Sequence, residues 1–555
     1  MWLLNTTTLA LEEFIGSHIP SYAILSHTWE DGEILFRDIQ NGLDSAPAVG
    51  KKGYRKIKAF CQLAAADGAS YVWVDTCCID KSSSAELSEA INSMFAWYQS
   101  ASTCYVYLSD LLADAELTAA LAHCRWWTRG WTLQELVAPR ELRFFDQGWN
   151  FRGTKTELAG LISSITGIEP PVLLHAVQLS SLPVATKMSW VAHRQTTRVE
   201  DIGYCLLGIF DVNMPLLYGE GRRAFTRLQE EIISSTHDLS IFAWQSVSQD
   251  VAEYAPRYSG LLARDPIHFS DCGRIARRGN TYLRPDLSVT NRGIRMKTEI
   301  IASRRADSPG WHYLLCLDCT LGDETGDVLA IYLRKCGPDM FVREKPGILL
   351  PVSNTSVGYR PRNLYFLSSI PKYLPVSPEQ QVKFERDLIV GNRACGVCIQ
   401  LPPDLDTMWE RPVSHWDAHH SVFFSLYDER MEEKDFGWCK FHILGKIHVD
   451  GKALSVDCFF FCYGWGQDIV CTIADAYACD KVLMEQFFAT LEVAEANIVP
   501  WALRRSSSFG IPLQSSVTVR GVDYGVEAEL RLAVTKTFRP DIYNDWIYQI
   551  EVLVA

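Results

Sequence analysis

Four short apolar runs, each closing on polar residues and separated from the next by a helix-period stretch, leave few architectures open to the first 150 residues. Tyr22-Ala23-Ile24-Leu25 leads into Ser26-His27-Thr28-Trp29, and Tyr71-Val72-Trp73-Val74 leads into Asp75-Thr76-Cys77-Cys78. Cys104 to Leu108 and Leu142 to Phe145 are the third and fourth runs. Apolar segments this short read as buried strands. Between the first two, Tyr54, Ile57, Phe60, Cys61 and Ala64 recur at helical spacing; after the second, Leu87, Ile91, Met94, Phe95 and Tyr98 trace another helical stripe, with Ser84 as its expected cap. The βαβαβαβ order predicts a parallel sheet covered on both faces, with ligands bound beyond the carboxyl ends of the strands. Ser26, His27, Asp75, Cys77, Ser109, Asp110 and Asp146 follow those ends directly and should lie along one rim.

At 555 residues the chain is too long for one core, and the texture changes twice. We expect an α/β domain over 1–150, a helical extension over 151–245, and a β-rich, sandwich-like domain over 246–555. The extension rests on Leu158, Leu161, Ile162 and Ile165 at helical spacing and on a helix from Arg222 through Ile233. In the last part, strand-like runs such as Val328 to Leu333 and Ile547 to Val554 are interrupted by one helix near 480–496. Lys plus Arg is 53 and Asp plus Glu is 66, and a net charge of −13 without a basic patch argues against nucleic acid as a partner. No apolar run reaches the roughly 18 residues of a membrane span. The first residues lack the basic start of a secretory signal, and the 17 cysteines then fit reduced thiols in the cytoplasm.

The densest segment runs from Cys124 to Leu136 and holds Trp126, Trp127 and Trp131 within six positions. Indoles offer flat stacking surfaces, Arg125 and Arg129 can meet phosphates or carboxylates, and Glu135 lies at i+4 from Trp131, so that both can share a helix face. Such a segment also suits a packed core helix with a solvated or Arg-paired glutamate. Cys77 with His27 and Asp75 raises a thiol hydrolase, since a nucleophilic cysteine needs a base and an orienter. The pairs Cys316/Cys319 and Cys395/Cys398 stand too far apart for a zinc ribbon, and His415 and His419 read as surface histidines; no metal is expected. Gly219-Glu220-Gly221 before a helix could present amides to an anion and reads more simply as an entry turn.

Three ordered blocks resemble the heterokaryon incompatibility (HET) domain of filamentous fungi. They are Tyr22 to Trp29, Trp73 to Lys81 with Ala90 to Phe95, and Arg129 to Leu136. Ser189-Trp190, Arg198 to Asp201 and Asn213 to Gly221 resemble the region that follows this domain, so the likeness covers about residues 1–245. Glu30, Cys124 and Trp127 depart from the usual pattern without removing a functional group. The resemblance implies a role in non-self recognition after hyphal fusion and a programmed cell-death response, exerted with an unidentified incompatibility partner and through self-association of this domain.

A more distant likeness is to the Toll/interleukin-1 receptor (TIR) domain, a flavodoxin-like fold whose enzymatic members cleave NAD with a glutamate. That likeness implies Glu135 as the catalytic residue and NAD as the substrate, with no separate cofactor. A carboxylate would stabilise the oxocarbenium character that develops at ribose C1′ as neutral nicotinamide departs. Trp131 or Trp29 would stack on a ring, Arg125 or Arg129 would meet the pyrophosphate, Asp75 would bind a ribose hydroxyl, and Ser26, His27 and Cys77 would line the pocket. The competing expectations are a module that kills by oligomerising or recruiting partners, without turnover, and the Cys77 hydrolase.

Overall fold

The computed structural model describes residues 1–16, 18–40, 42–246, 257–278, 286–305, 308–322, 327–352, 362–370, 396–401, 405–411, 416–418, 422–424, 437–449, 452–465, 468–475, 516–520, 527–538 and 546–554. The expected helix near 480–496 and the residues Cys395, His415 and His419 lie outside them.

The first sheet has seven strands: β1 (Trp2–Asn5), β2 (Leu11–Glu13), β3 (Ala23–His27), β4 (Tyr71–Trp73), β5 (Thr103–Tyr107), β6 (Leu142–Phe145) and β7 (Phe151–Thr154), in the spatial order β2-β1-β4-β3-β5-β6-β7. The four expected strands are the inner four, and they are parallel: Ile24 pairs with Trp73 and Cys104, and Val106 with Phe144. The sheet as a whole is mixed, because β1 and β2 extend one edge and β7 the other in antiparallel fashion. β2 and β7 are short, mostly half-buried and without an apolar run, which hides them in the sequence; β1 holds the buried Leu3 and Leu4 but is only four residues long. Chain order reverses between β3 and β5, which makes the gap at their carboxyl ends the switch point where such sheets bind ligands.

The connecting helices are α1 (Ala46–Val49), α2 (Gly53–Ala66), α3 (Ser84–Ser100), α4 (Leu117–Leu121) and α5 (Thr132–Val137). α2 buries Ile57, Phe60, Cys61 and Ala64 as its spacing predicts, and Phe60 meets Tyr105 edge-on on the sheet face shared by Leu25 and His27. α3 lies on the opposite face, where Trp73 contacts Trp97 and Tyr98. Its cap is Ser83, one residue before the expected Ser84: the Ser83 hydroxyl accepts from the Glu86 N–H at 3.3 Å. All six residues of α5 are buried on that same face, behind the Trp126 ring that abuts Phe144.

Short helices follow the sheet, among them Val184–Ser189, Leu207–Phe210 and Arg223–Ser235. Leu207–Phe210 presses on α3 so closely that a Cβ on Gly208 would lie 2.0 Å from the Phe95 Cβ. From Tyr258 onward the described elements are β-strands apart from a 3-10 segment at Pro266–Arg274, arranged in a nine-stranded sheet and smaller ones of six, four and two strands. Arg343 fastens the nine-stranded sheet to the helical segment. Its buried guanidinium donates to the Phe242 carbonyl at 3.0 Å and the Trp244 carbonyl at 2.5 Å, and lies 3.9 Å from the Trp244 ring centroid. Replacing Arg343 by Met keeps the apolar stem but leaves both carbonyls without this donor. We expect a stability loss of roughly 3 kcal/mol, with Arg343→Lys restoring only part because an ammonium lacks the planar fork. Thermal denaturation of the two variants checks this, and an unchanged midpoint in Arg343→Met would remove the clamp from the account.

Candidate functional site

β3 ends on two polar residues that point to opposite faces of the sheet. On the α3/α5 face, the fully buried Ser26 hydroxyl accepts from Trp126 Nε1 at 2.8 Å and donates to Glu135 Oε2. Glu135 is only 6% exposed. Burial first, and then the nearby Asp75 charge, push its carboxyl up to about 8, against the opposing influence of Ser26, Arg194 and Arg129. Arg194 is buried as well, held by the Trp190 and Arg129 carbonyls and by Thr132 Oγ1.

On the α2 face, Lys56 Nζ lies 2.9 Å from His27 Nδ1 and 2.5 Å from Glu33 Oε1. His27 Nε2 stands 3.3 Å from Asp75 Oδ1, within ion-pair range but out of line for a hydrogen bond, so that this buried oxygen has no donor. The other oxygen, Oδ2, accepts from Trp29 Nε1 at 2.7 Å. Trp29 is 47% exposed, and Lys81 Nζ sits 3.5 Å from its ring centroid. That ammonium nitrogen is buried without a hydrogen-bond partner, and burial lowers its pKa. Burial also pushes the Asp75 carboxyl up, but His27, Lys81 and the Trp29 indole outweigh it and bring it down to about 2. Two neighbouring carboxyls are therefore held in opposite states at neutral pH, Asp75 ionised and Glu135 protonated, a separation typical of acid–base sites.

Ser26, His27, Trp29, Asp75 and Glu135 thus converge on the end of β3. The remaining predicted residues are placed differently. Cys77 is fully buried, and contact with Cys78 together with burial raises its thiol well above the ordinary value, the opposite of what a thiolate nucleophile needs. The exposed Arg125 is already engaged with Glu30 at 2.9 Å and Asp110 at 3.4 Å. Arg129 donates to Thr197 Oγ1 at 3.1 Å. Trp131 is directed at Asp201, whose carboxyl is raised by burial and pulled back by hydrogen bonds from Tyr218 and Trp131. Those last two contacts tie the residues just before α5 to the helical segment. The Gly219 and Gly221 amides do meet an anion, but it is the Glu200 carboxylate of the same chain, at 2.9 and 3.0 Å.

Sequence reasoning missed Glu33, Lys56, Lys81 and Arg194. Lys81 closes the second of the three motif blocks, a usable signal; the others acquire their place only through packing.

Within this α/β unit, residues 22–120 match the family profile "Heterokaryon incompatibility protein (HET)". A second profile, "Domain of unknown function (DUF8212)", matches residues 223–289. The chain is similar to the vegetative incompatibility protein HET-E-1 of Podospora anserina, with 47% identity over 224 residues, a stretch that makes up 39% of this chain and 16% of that protein. No solved structure matches the chain. Among the described residues no helix is long and apolar enough to cross a membrane.

Burial of the Glu135 carboxyl makes the stability of the fold depend on pH. Its folded pKa of about 8 exceeds the ordinary 4.5, so its stabilising contribution is complete below about 4.5 and is lost as pH rises through about 8. Asp75 acts oppositely: its contribution is present above 3.8 and is lost as pH falls through about 2. Glu135→Gln should therefore raise the thermal midpoint relative to wild type more at pH 9 than at pH 5. A difference that stays constant across that range would show that the carboxyl is not held neutral.

Proposed function

We propose that the chain is an effector of vegetative incompatibility: after self-association through its HET domain and encounter with an incompatibility partner, it triggers cell death from the cytoplasm by cleaving the nicotinamide–ribose bond of NAD. Similarity to an incompatibility protein supports the biological half of this reading. The chemical half is supported by two carboxyls near the end of β3: Glu135, bound by Ser26 and raised by burial, and Asp75, bound by Trp29 and lowered by His27, Lys81 and that indole.

Glu135 is the catalytic residue in this reading. In the free protein it is largely neutral at pH 7, and a neutral acid gives little help to a developing oxocarbenium. The nicotinamide ring of NAD is cationic, however, and a cation placed beside Glu135 favours its ionised form. Binding then expels the proton to solvent and leaves a carboxylate against C1′ as the glycosidic electron pair moves onto nicotinamide, after which water adds to C1′ and gives its proton to Glu135. Asp75 Oδ1, buried without a donor, is available to a ribose hydroxyl, and the half-exposed Trp29 ring offers a stacking face. Ser26 orients Glu135, while His27 and Lys81 keep Asp75 charged.

A second reading is favoured by the depth of Glu135 and its bond to Ser26: the network merely braces α5 against β3, and the domain kills by assembly alone. Nicotinamide release by the purified protein, at concentrations that permit self-association, separates the two. We expect wild type to release nicotinamide and Glu135→Gln, which can keep the Ser26 contact, to fall by roughly a hundredfold or more. The wild-type kcat/KM should rise with pH up to about 8 and then level. Intact NAD with wild type, or equal turnover in Glu135→Gln, would reject the enzymatic reading; cell death that survives this substitution without a fall in cellular NAD would establish the assembly reading.

A further inference from the structure

Away from the β3 site, a cavity of about 640 Å³ opens between α3, the end of α5 and the short helices that follow the sheet. Its size falls within the range of small-ligand pockets, roughly 300–1,000 Å³. Two cations line it. Lys187, on Val184–Ser189, is 6% exposed, and its Nζ, 4.5 Å from the Phe210 ring centroid, has no hydrogen-bond or ion-pair partner among the described residues. Arg140, just past α5, also has none there.

A buried ammonium without a counter-ion is costly, and proteins ordinarily pair it. The nearest acidic groups do not serve. Asp238 is committed to the Val184 and Ser240 amides and to Arg277, and the exposed Asp211 makes no ion pair with Lys187. Burial accordingly lowers Lys187 to about 8, and an anion beside it would restore its charge. His175, also on the wall, contributes no further charge requirement: its Nε2 lies 3.0 Å from the Pro139 carbonyl, and burial lowers its pKa. The rest of the lining is mixed. The Phe95 and Phe210 rings give flat apolar walls, and the Gln99 carboxamide has no partner among the described residues.

We propose that this cavity binds a small phosphorylated metabolite of nucleotide size, with Lys187 and Arg140 holding the phosphate and the two phenylalanine rings flanking an apolar or aromatic body. Lys187 gains the counter-ion it lacks, and the guanidinium adds a second, bidentate grip. The carboxamide at the rim supplies hydrogen bonds for hydroxyl groups or a ring edge. This site goes beyond the NAD reading and does not rest on it.

The test is isothermal titration calorimetry of the full chain at pH 7 with adenosine 5′-monophosphate as the probe and adenosine as its uncharged control. We expect saturable binding of the monophosphate at one site, at least tenfold weaker adenosine binding, and a tenfold or greater loss of monophosphate affinity in both Lys187→Met and Arg140→Ala. Should Lys187→Met fail to fold, the exposed Arg140→Ala decides alone. Failure of the monophosphate to bind, equal binding of adenosine, or affinity unchanged in the variants overturns the proposal. Glu135→Gln should bind the probe as wild type does; loss there with full affinity in Lys187→Met places the probe at the β3 end and likewise overturns it.

Discussion

The Ser26 hydroxyl is the joint on which the amino-terminal unit turns. It takes a hydrogen bond from the Trp126 indole and gives one to Glu135, so that one atom at the end of a central strand sets the position of both the tryptophan segment and α5. Fully buried and so shielded from bulk solvent, the hydroxyl makes each of these bonds in a low-dielectric setting that strengthens it. The same burial raises the Glu135 carboxyl, which means that the packing that fixes the helix also determines the protonation state of its one acid. His27, the next residue, repeats the pattern on the other face with Lys56, Glu33 and Asp75.

Strand polarity explains why these groups meet. Parallel strands put their carboxyl ends on one side of the sheet, and the reversal between β3 and β5 leaves a gap there that crossover helices cannot cover. Trp29 and Lys81 come from different connections and stack on each other beside Asp75, at the ends of β3 and β4. α5 borders both this region and the cavity behind it, since Glu135 faces Ser26 while Val137 lines the cavity wall. Six residues of helix therefore separate two very different chemical environments.

Much of this was legible beforehand. The inner strands, the stripes of α2 and α3, and the rim made of Ser26, His27 and Asp75 followed from periodicity and the strand-end rule. What escaped depended on distance in space. Arg194 carries no local mark, because its role arises when a loop from beyond the sheet folds onto Thr132. Lys56 sits on a helix whose apolar stripe was recognised, yet the stripe says nothing of which polar residue will face His27. The TIR likeness implies substrate contacts for Arg125 and Trp131; in the free protein Arg125 is paired with Glu30 and Asp110, and Trp131 lies beside Asp201. Side-chain type announces capacity; only packing assigns the partner.

The Arg343 clamp bears on how far the HET unit can be regarded as a module. A fragment severed after residue 245 would retain every group of the β3 site, yet it would carry two main-chain oxygens, at Phe242 and Trp244, stripped of the guanidinium that serves them in the intact chain. The Trp244 ring would lose its covering cation at the same stroke. The β-rich region is in this sense a continuation of the amino-terminal unit's interior, and autonomy of the latter would have to be gained by new side chains at that seam.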